Sequence, residues 1–227
     1  MPLLQQEGGE ATIFYCSVGL VLAAVLAAAY WLKQPRLSAK LGDITYHLLS
    51  RPDHKAALAA LNRINSDLLC LAAYLKAKYR LTGLDADSPS GGAAANWGRE
   101  TTAANRREIA AAILRNFNPE VLYENEPSGR DGTSYTLEKG NKLVMCLRDK
   151  ATGKIHDHHT LMFVALHELA HMGNGTYGHG VDFWRTFKVV LTEARAAGIH
   201  DPVNYALRPI VYCGLRVDYN PYFDPAL

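Results

Sequence analysis

His167-Glu168-Leu169-Ala170-His171 places two imidazoles four residues apart with a carboxylate between them. On a helix, residues i and i+4 project from one face, so both rings can reach a single metal ion. Zinc suits this donor set, with Zn–N distances of about 2.0–2.1 Å. Glu168 then stands beside the open coordination position. From there it can take a proton from a zinc-bound water, whose pKa falls to about 7, and pass it to a leaving amine.

A hydrolytic zinc site needs a third protein ligand. The segment Tyr177-Gly178-His179-Gly180-Val181-Asp182-Phe183-Trp184 offers His179, flanked by glycines that permit a tight return of the chain to the metal. Glu193, on the helix expected to follow, is the competing third ligand, as in zincins that use a helical glutamate. Asp157 is a candidate to orient a ligating imidazole. His156, His158 and His159 sit close together just upstream; a solvated turn or helix cap explains them more simply than a second metal site. Candidates for stabilising a developing oxyanion are Tyr205, Arg208, Tyr212 and Tyr219, each of which also suits ordinary packing.

The elements that position these groups follow from periodicity. Thr160 can cap a helix carrying Leu161, Met162, Val164, Ala165 and Leu169 around the two histidines, with Gly173 or Gly175 stopping it. A further helix is expected from about Val181 to Ala197. Upstream, Thr101 or Thr102 can cap a helix to Asn116 that buries Ile109, Ile113 and Phe117. Ser134 to Glu138 and Lys142 to Arg148 are β-prone runs that read as a hairpin, and either could offer a sheet edge to a substrate backbone. The proline-bearing tail to Leu227 reads as mostly irregular.

The N-terminal part differs in kind. Residues 11–32 contain no charged side chain. As a helix they would extend about 33 Å, enough for a hydrocarbon core of about 30 Å. Lys33, Arg36 and Lys40 predict a cytosolic C-terminal flank, and with it a cytosolic catalytic region. Residues 53–80 read as an amphipathic helix with Leu58, Leu61, Ile64, Leu68, Leu71, Leu75 and Tyr79 on one face. That face predicts packing on the domain or self-association. Residues 82–100 have linker composition.

The expected organisation is therefore a tail at 1–10, a transmembrane helix at 11–32, a juxtamembrane helical region at 33–81, a linker at 82–100 and a catalytic domain at 101–227. Cys16, Cys70, Cys146 and Cys213 are scattered without a CxxC pair, which suggests no disulfide framework and fits a reducing compartment. The net charge of +2 gives no general reason to expect nucleic acid as a partner. Lys139, Lys142, Arg148, Lys150 and Lys154 could form a basic strip, but such a run is more simply a solvated face.

With HELAH followed by GHGVDFW, the chain resembles the zinc metallopeptidase domains of the SprT-like and WLM group. It is particularly similar to membrane-anchored versions encoded by large DNA viruses, over Thr133 to Thr136, Cys146 to Arg148 and Tyr212 to Gly214 as well. The likeness covers roughly residues 101–215. It implies an α+β, zincin-like minimal metalloprotease fold of helices plus a small sheet or hairpin, here with an N-terminal transmembrane helix. It further implies His167, His171 and His179 as zinc ligands, Glu168 as catalytic acid/base, and a protein or peptide substrate at a host or virion membrane. Some members of that group act on DNA–protein crosslinks, which supplies an alternative substrate; a non-enzymatic zinc-stabilised adaptor is another. Asn174 and Tyr177 stand where metzincins carry glycine and histidine, and no Met-turn follows, so the chain is not a metzincin.

Overall fold

The His167–His171 segment lies on a helix packed beneath a mixed sheet, seen in a computed structural model that describes residues 36–82, 102–126, 133–137, 140, 142–174 and 178–227. Apart from Arg36, these residues belong to one compact unit, Leu37–Leu227. Strands β1 (Arg36–Leu41), β2 (Ile44–Leu49), β3 (Val121–Asn125), β4 (Tyr135–Leu137) and β5 (Lys142–Cys146) form a five-stranded sheet in the order β1-β2-β3-β5-β4. β2, β3 and β5 run parallel, with Tyr46 opposite Leu122 and Leu122 opposite Leu143. β4 is antiparallel to β5 and forms one edge. Among the described residues, four α-helices follow in chain order: α1 (His54–Lys78), α2 (Ala103–Asn116), α3 (His158–Gly173) and α4 (Val181–Ala196).

The expected fold class is corrected in its extent and in its membrane helix. The sheet is larger than one hairpin, because residues assigned to a juxtamembrane region supply β1, β2 and α1. The compact unit therefore begins well before residue 101, where the catalytic domain was expected to start. No helix among the described residues is long and apolar enough to cross a membrane. The expected span at 11–32 and most of the 82–100 linker lie outside the described residues.

α1 shows why the upstream region belongs to the core. Leu61, Ile64, Leu68, Leu71 and Leu75 are buried, together with Ile109 and Ile113 of α2 and most of α3. The stripe is consumed within the chain, leaving Leu69 as the large apolar side chain that α1 exposes. At its start, Asp53 makes no capping bond through its side chain. Its carboxylate instead accepts from Arg148, a buried guanidinium that also donates to buried Glu124 at 2.7 Å. Glu124 in turn accepts the Leu49 backbone N–H at 2.9 Å, so one ionic cluster ties α1 to β2 and β3. Arg148 is thereby removed from the basic strip expected on the surface.

Two glycines allow the helices to close on one another. A Cβ at Gly173 would lie 3.0 Å from Ile113 Cγ1, so α3 crosses α2 at a distance that only glycine permits without adjustment. Gly140 has φ +118°, and a Cβ there would lie 2.2 Å from the Asn116 carbonyl oxygen. Asn116 itself donates to the Met172 carbonyl at 2.8 Å, satisfying one of the orphan acceptors at the end of α3.

The tail is more ordered than its prolines suggest. β6 (Ile210–Tyr212) and β7 (Leu215–Val217) pair as a hairpin through Cys213 and Gly214. Both turn residues are left-handed, with φ of 48° and 84°, the combination a type I′ turn requires. Cys213 forms a disulfide with Cys146 at the end of β5, which corrects the expectation of unpaired cysteines. The two Cα atoms lie 6.4 Å apart, within bridging range, although 67 positions separate them in sequence.

Candidate metal centre and cleft

α3 begins at Asp157 rather than Thr160. The Asp157 carboxylate accepts the Thr160 backbone N–H at 2.9 Å and the Thr160 hydroxyl at 2.7 Å. It is thus the helix cap, and the role proposed for it as partner of a metal ligand is not the one it plays. The neighbouring histidines also diverge. The His156 ring accepts from the Cys213 N–H at 3.3 Å, His158 pairs with Asp67 at 2.7 Å, and His159 meets the Asp201 carbonyl at 2.7 Å.

Two turns further along α3, His167 and His171 present their rings on one face. After α3 ends, Gly178 takes φ +82° and turns the chain so that His179 returns to them just before α4. Nε2 of His167 lies 3.0 Å from Nε2 of His179 and 3.3 Å from Nε2 of His171. A tetrahedron with Zn–N bonds of about 2.0–2.1 Å has edges of about 3.3–3.4 Å, so these separations suit a zinc ion. Among the described residues, these three form the group of donors close enough to hold a metal.

The chemistry of the donors fits as well. Burial, reinforced by the other two rings, lowers the His167 pKa to about 3, and burial with His179 lowers that of His171 to about 4. Burial also lowers His179. All three rings are therefore neutral near pH 7, with lone pairs available to a cation. Aromatic side chains of α4 fix their planes: His171 stacks on Phe183 at 4.2 Å, His179 lies over Trp184 at 5.7 Å, and Phe187 meets the His167 ring edge-on at 5.1 Å. The sequence signal for this cradle was present in GHGVDFW, where the aromatics follow the third histidine.

Glu193, the alternative ligand, is committed elsewhere. It is buried, with Lys78 at 2.6 Å, the Tyr79 hydroxyl at 2.8 Å and Arg106 at 3.8 Å around its carboxylate. It joins α1 and α2 to α4 and does not enter the metal-binding group.

Glu168 is buried beside the triad, and burial pushes its pKa up to about 8, opposed by a hydrogen bond from the Thr136 backbone N–H. That bond orients β4: the Thr136 amide faces the site instead of β5. Between the two expected edges, β4 is therefore the one beside the three histidines, while β5 is enclosed between β3 and β4. A cavity of about 690 Å³ opens over His167, Glu168, His171 and His179, bounded by β4 on one side and the β6–β7 hairpin on another.

The hairpin wall is held from behind. The Tyr212 hydroxyl donates to the Cys146 carbonyl at 2.6 Å and sits 2.6 Å from Ser134 Oγ, which accepts the Cys146 N–H at 2.9 Å. Of the four tail candidates, Tyr212 and Tyr219 line the cavity. Tyr205 packs edge-on against Phe163 at 4.8 Å, and Arg208 is exposed. Tyr219 packs on Trp184 at 5.1 Å and donates to Asp224 at 2.7 Å.

No protein-family model matches the chain, and no solved structure matches it. It is similar to an uncharacterised protein of Acanthamoeba polyphaga mimivirus, 39% identical over 109 residues, which covers 46% of this chain and 55% of the viral protein. A second relative, from Invertebrate iridescent virus 3, is 37% identical over 105 residues, covering 45% of this chain and 62% of that protein. A third, from Invertebrate iridescent virus 6, is 33% identical over 89 residues, covering 38% and 47%. The chain thus spans about half the length of the curated relatives it matches.

Proposed function

We propose that this chain is a zinc-dependent endopeptidase of the SprT-like or WLM type. The observation that carries the reading is the convergence of His167, His171 and His179 Nε2 beside buried Glu168, at the floor of a cleft flanked by an exposed strand edge. A zinc ion held by the three histidines would polarise a peptide carbonyl and acidify a water molecule.

Glu168 accepts the proton of the attacking water and returns it to the departing amine. Burial raises its pKa in the metal-free chain, and a zinc cation beside it would favour the carboxylate form that accepts the proton. Apart from the Thr136 amide, which Glu168 holds, the outer edge of β4 would offer its backbone to an extended substrate and so align the scissile bond over the histidines. Structural zinc is closed by four protein ligands, whereas the described group supplies three and leaves the remaining direction to the cleft.

Metal content and cleavage of an unfolded protein substrate test this together. Glu168→Gln should keep one zinc per chain and lose cleavage by at least about a hundredfold. Undiminished proteolysis by the zinc-loaded variant refutes the assignment.

A further inference from the structure

We infer that the cleft selects a bulky apolar side chain next to the cleaved bond, seated between Phe163, Val164 and Phe187 of the helices and Leu215 and Val217 of the β6–β7 hairpin; this rests on the peptidase reading. All five side chains line the same cavity as the metal-binding histidines. Phe163 and Phe187 are buried and pack on each other at 5.2 Å, and Phe187 also meets the His167 ring. The apolar floor is therefore continuous with the metal site, not a separate hollow.

Charge points the same way. Apart from the histidines and Glu168, the ionisable side chains in the lining are Arg216, Asp218 and three tyrosines, Tyr135, Tyr212 and Tyr219. Arg216 and Asp218 pair with each other at 3.1 Å and remain largely exposed. Tyr212 and Tyr219 have hydroxyls already bonded to Ser134, Cys146 and Asp224. A charged substrate side chain seated on Phe163, Val164 and Phe187 would lose its water against side chains that carry no charge, which is costly.

An apolar one gains contact on both sides. Leu215 is 54% exposed and Tyr219 37% exposed at the rim, apolar surface that a substrate would cover. The cavity volume of about 690 Å³ also lies in the range of sites that enclose a ligand. Because the hairpin is tied to β5 by the disulfide and by Tyr212, its wall is set before substrate arrives.

The test is cleavage of a peptide library by the zinc-loaded full chain, with one position varied beside the bond that is cut. Peptides carrying Phe, Leu or Met there should exceed those carrying Asp, Glu, Lys or Gly by at least about tenfold in kcat/KM. Val164→Trp should move the preference toward small side chains, and Leu215→Arg should raise relative cleavage of acidic peptides, both with zinc retained. Cleavage without apolar preference overturns this inference alone. Binding of the same peptides to zinc-loaded Glu168→Gln separates the two levels: selective binding of apolar peptides that the wild type does not cut sinks the peptidase reading and upholds the pocket. A chain that neither binds nor cuts any of them overturns both.

Discussion

Removing the Cys146–Cys213 bridge should destabilise the domain by about 4 kcal/mol. The bridge closes a loop over a sequence separation of 67, and in the chain-entropy account a loop of that length restricts the unfolded state by about this amount at 25 °C. The Tyr212 bonds to the Cys146 carbonyl and Ser134 survive the change, so the loss falls on the unfolded chain and on the freedom of the hairpin rather than on the sheet. Urea unfolding of a Cys146→Ala, Cys213→Ala double variant checks the value: with a slope of about 2 kcal/mol per molar, the midpoint should fall by about 2 M. Peptide mapping gives an independent measurement. Cys70 is exposed and free, and should alkylate without reductant, whereas Cys146 and Cys213 should label only after reduction and unfolding. Labelling of Cys146 and Cys213 before reduction, or equal midpoints for the two proteins, would show the reasoning to be wrong. Because the hairpin forms one wall of the cleft, the double variant should also cut peptides more slowly while binding zinc normally.

Glu193→Gln should retain full zinc stoichiometry and lose about 1–3 kcal/mol of stability, since it weakens a buried acceptor shared by Lys78 and Tyr79, whereas His179→Ala should lose the metal; atomic emission on both variants decides between them. Gly140→Ala should fail to reach the native fold or melt many degrees lower, because its Cβ would meet the Asn116 carbonyl oxygen at 2.2 Å. His200 is buried, with its pKa lowered to about 4 by burial and then by His159. A free histidine titrates near 6.5, so the folded state binds fewer protons: the stability held above pH 6.5 falls as the pH drops toward 4, by up to about 3 kcal/mol. His200→Asn should flatten that part of the pH–stability curve, and an unchanged slope would remove His200 from the account.

Local chemistry was legible wherever it depended on neighbours in the chain. The i, i+4 histidines on an apolar helix, the glycine-flanked His179, the Thr102 cap and the β4–β5 hairpin all follow from spacings of a few residues. The same local view misassigned Asp157, whose carboxylate three residues before Thr160 is itself a capping signal. It also read the tail as irregular, although Cys213-Gly214 between two short β-prone runs is an I′ turn signature.

What the chain by itself determined is the pair His167 and His171 with Glu168 between them; it left the third donor open between His179 and Glu193. Tertiary structure alone decided what surrounds that pair. β2 pairs with β3 from the far side of two helices, so residues first read as an appendage became part of the sheet. Glu193 met Lys78 and Tyr79 instead of the histidine cluster, Arg148 was drawn inward by Glu124 and Asp53, and Cys146 met Cys213. Each of these pairings joins residues far apart in sequence, and its free energy depends on a separation in space that periodicity and motif spacing do not encode.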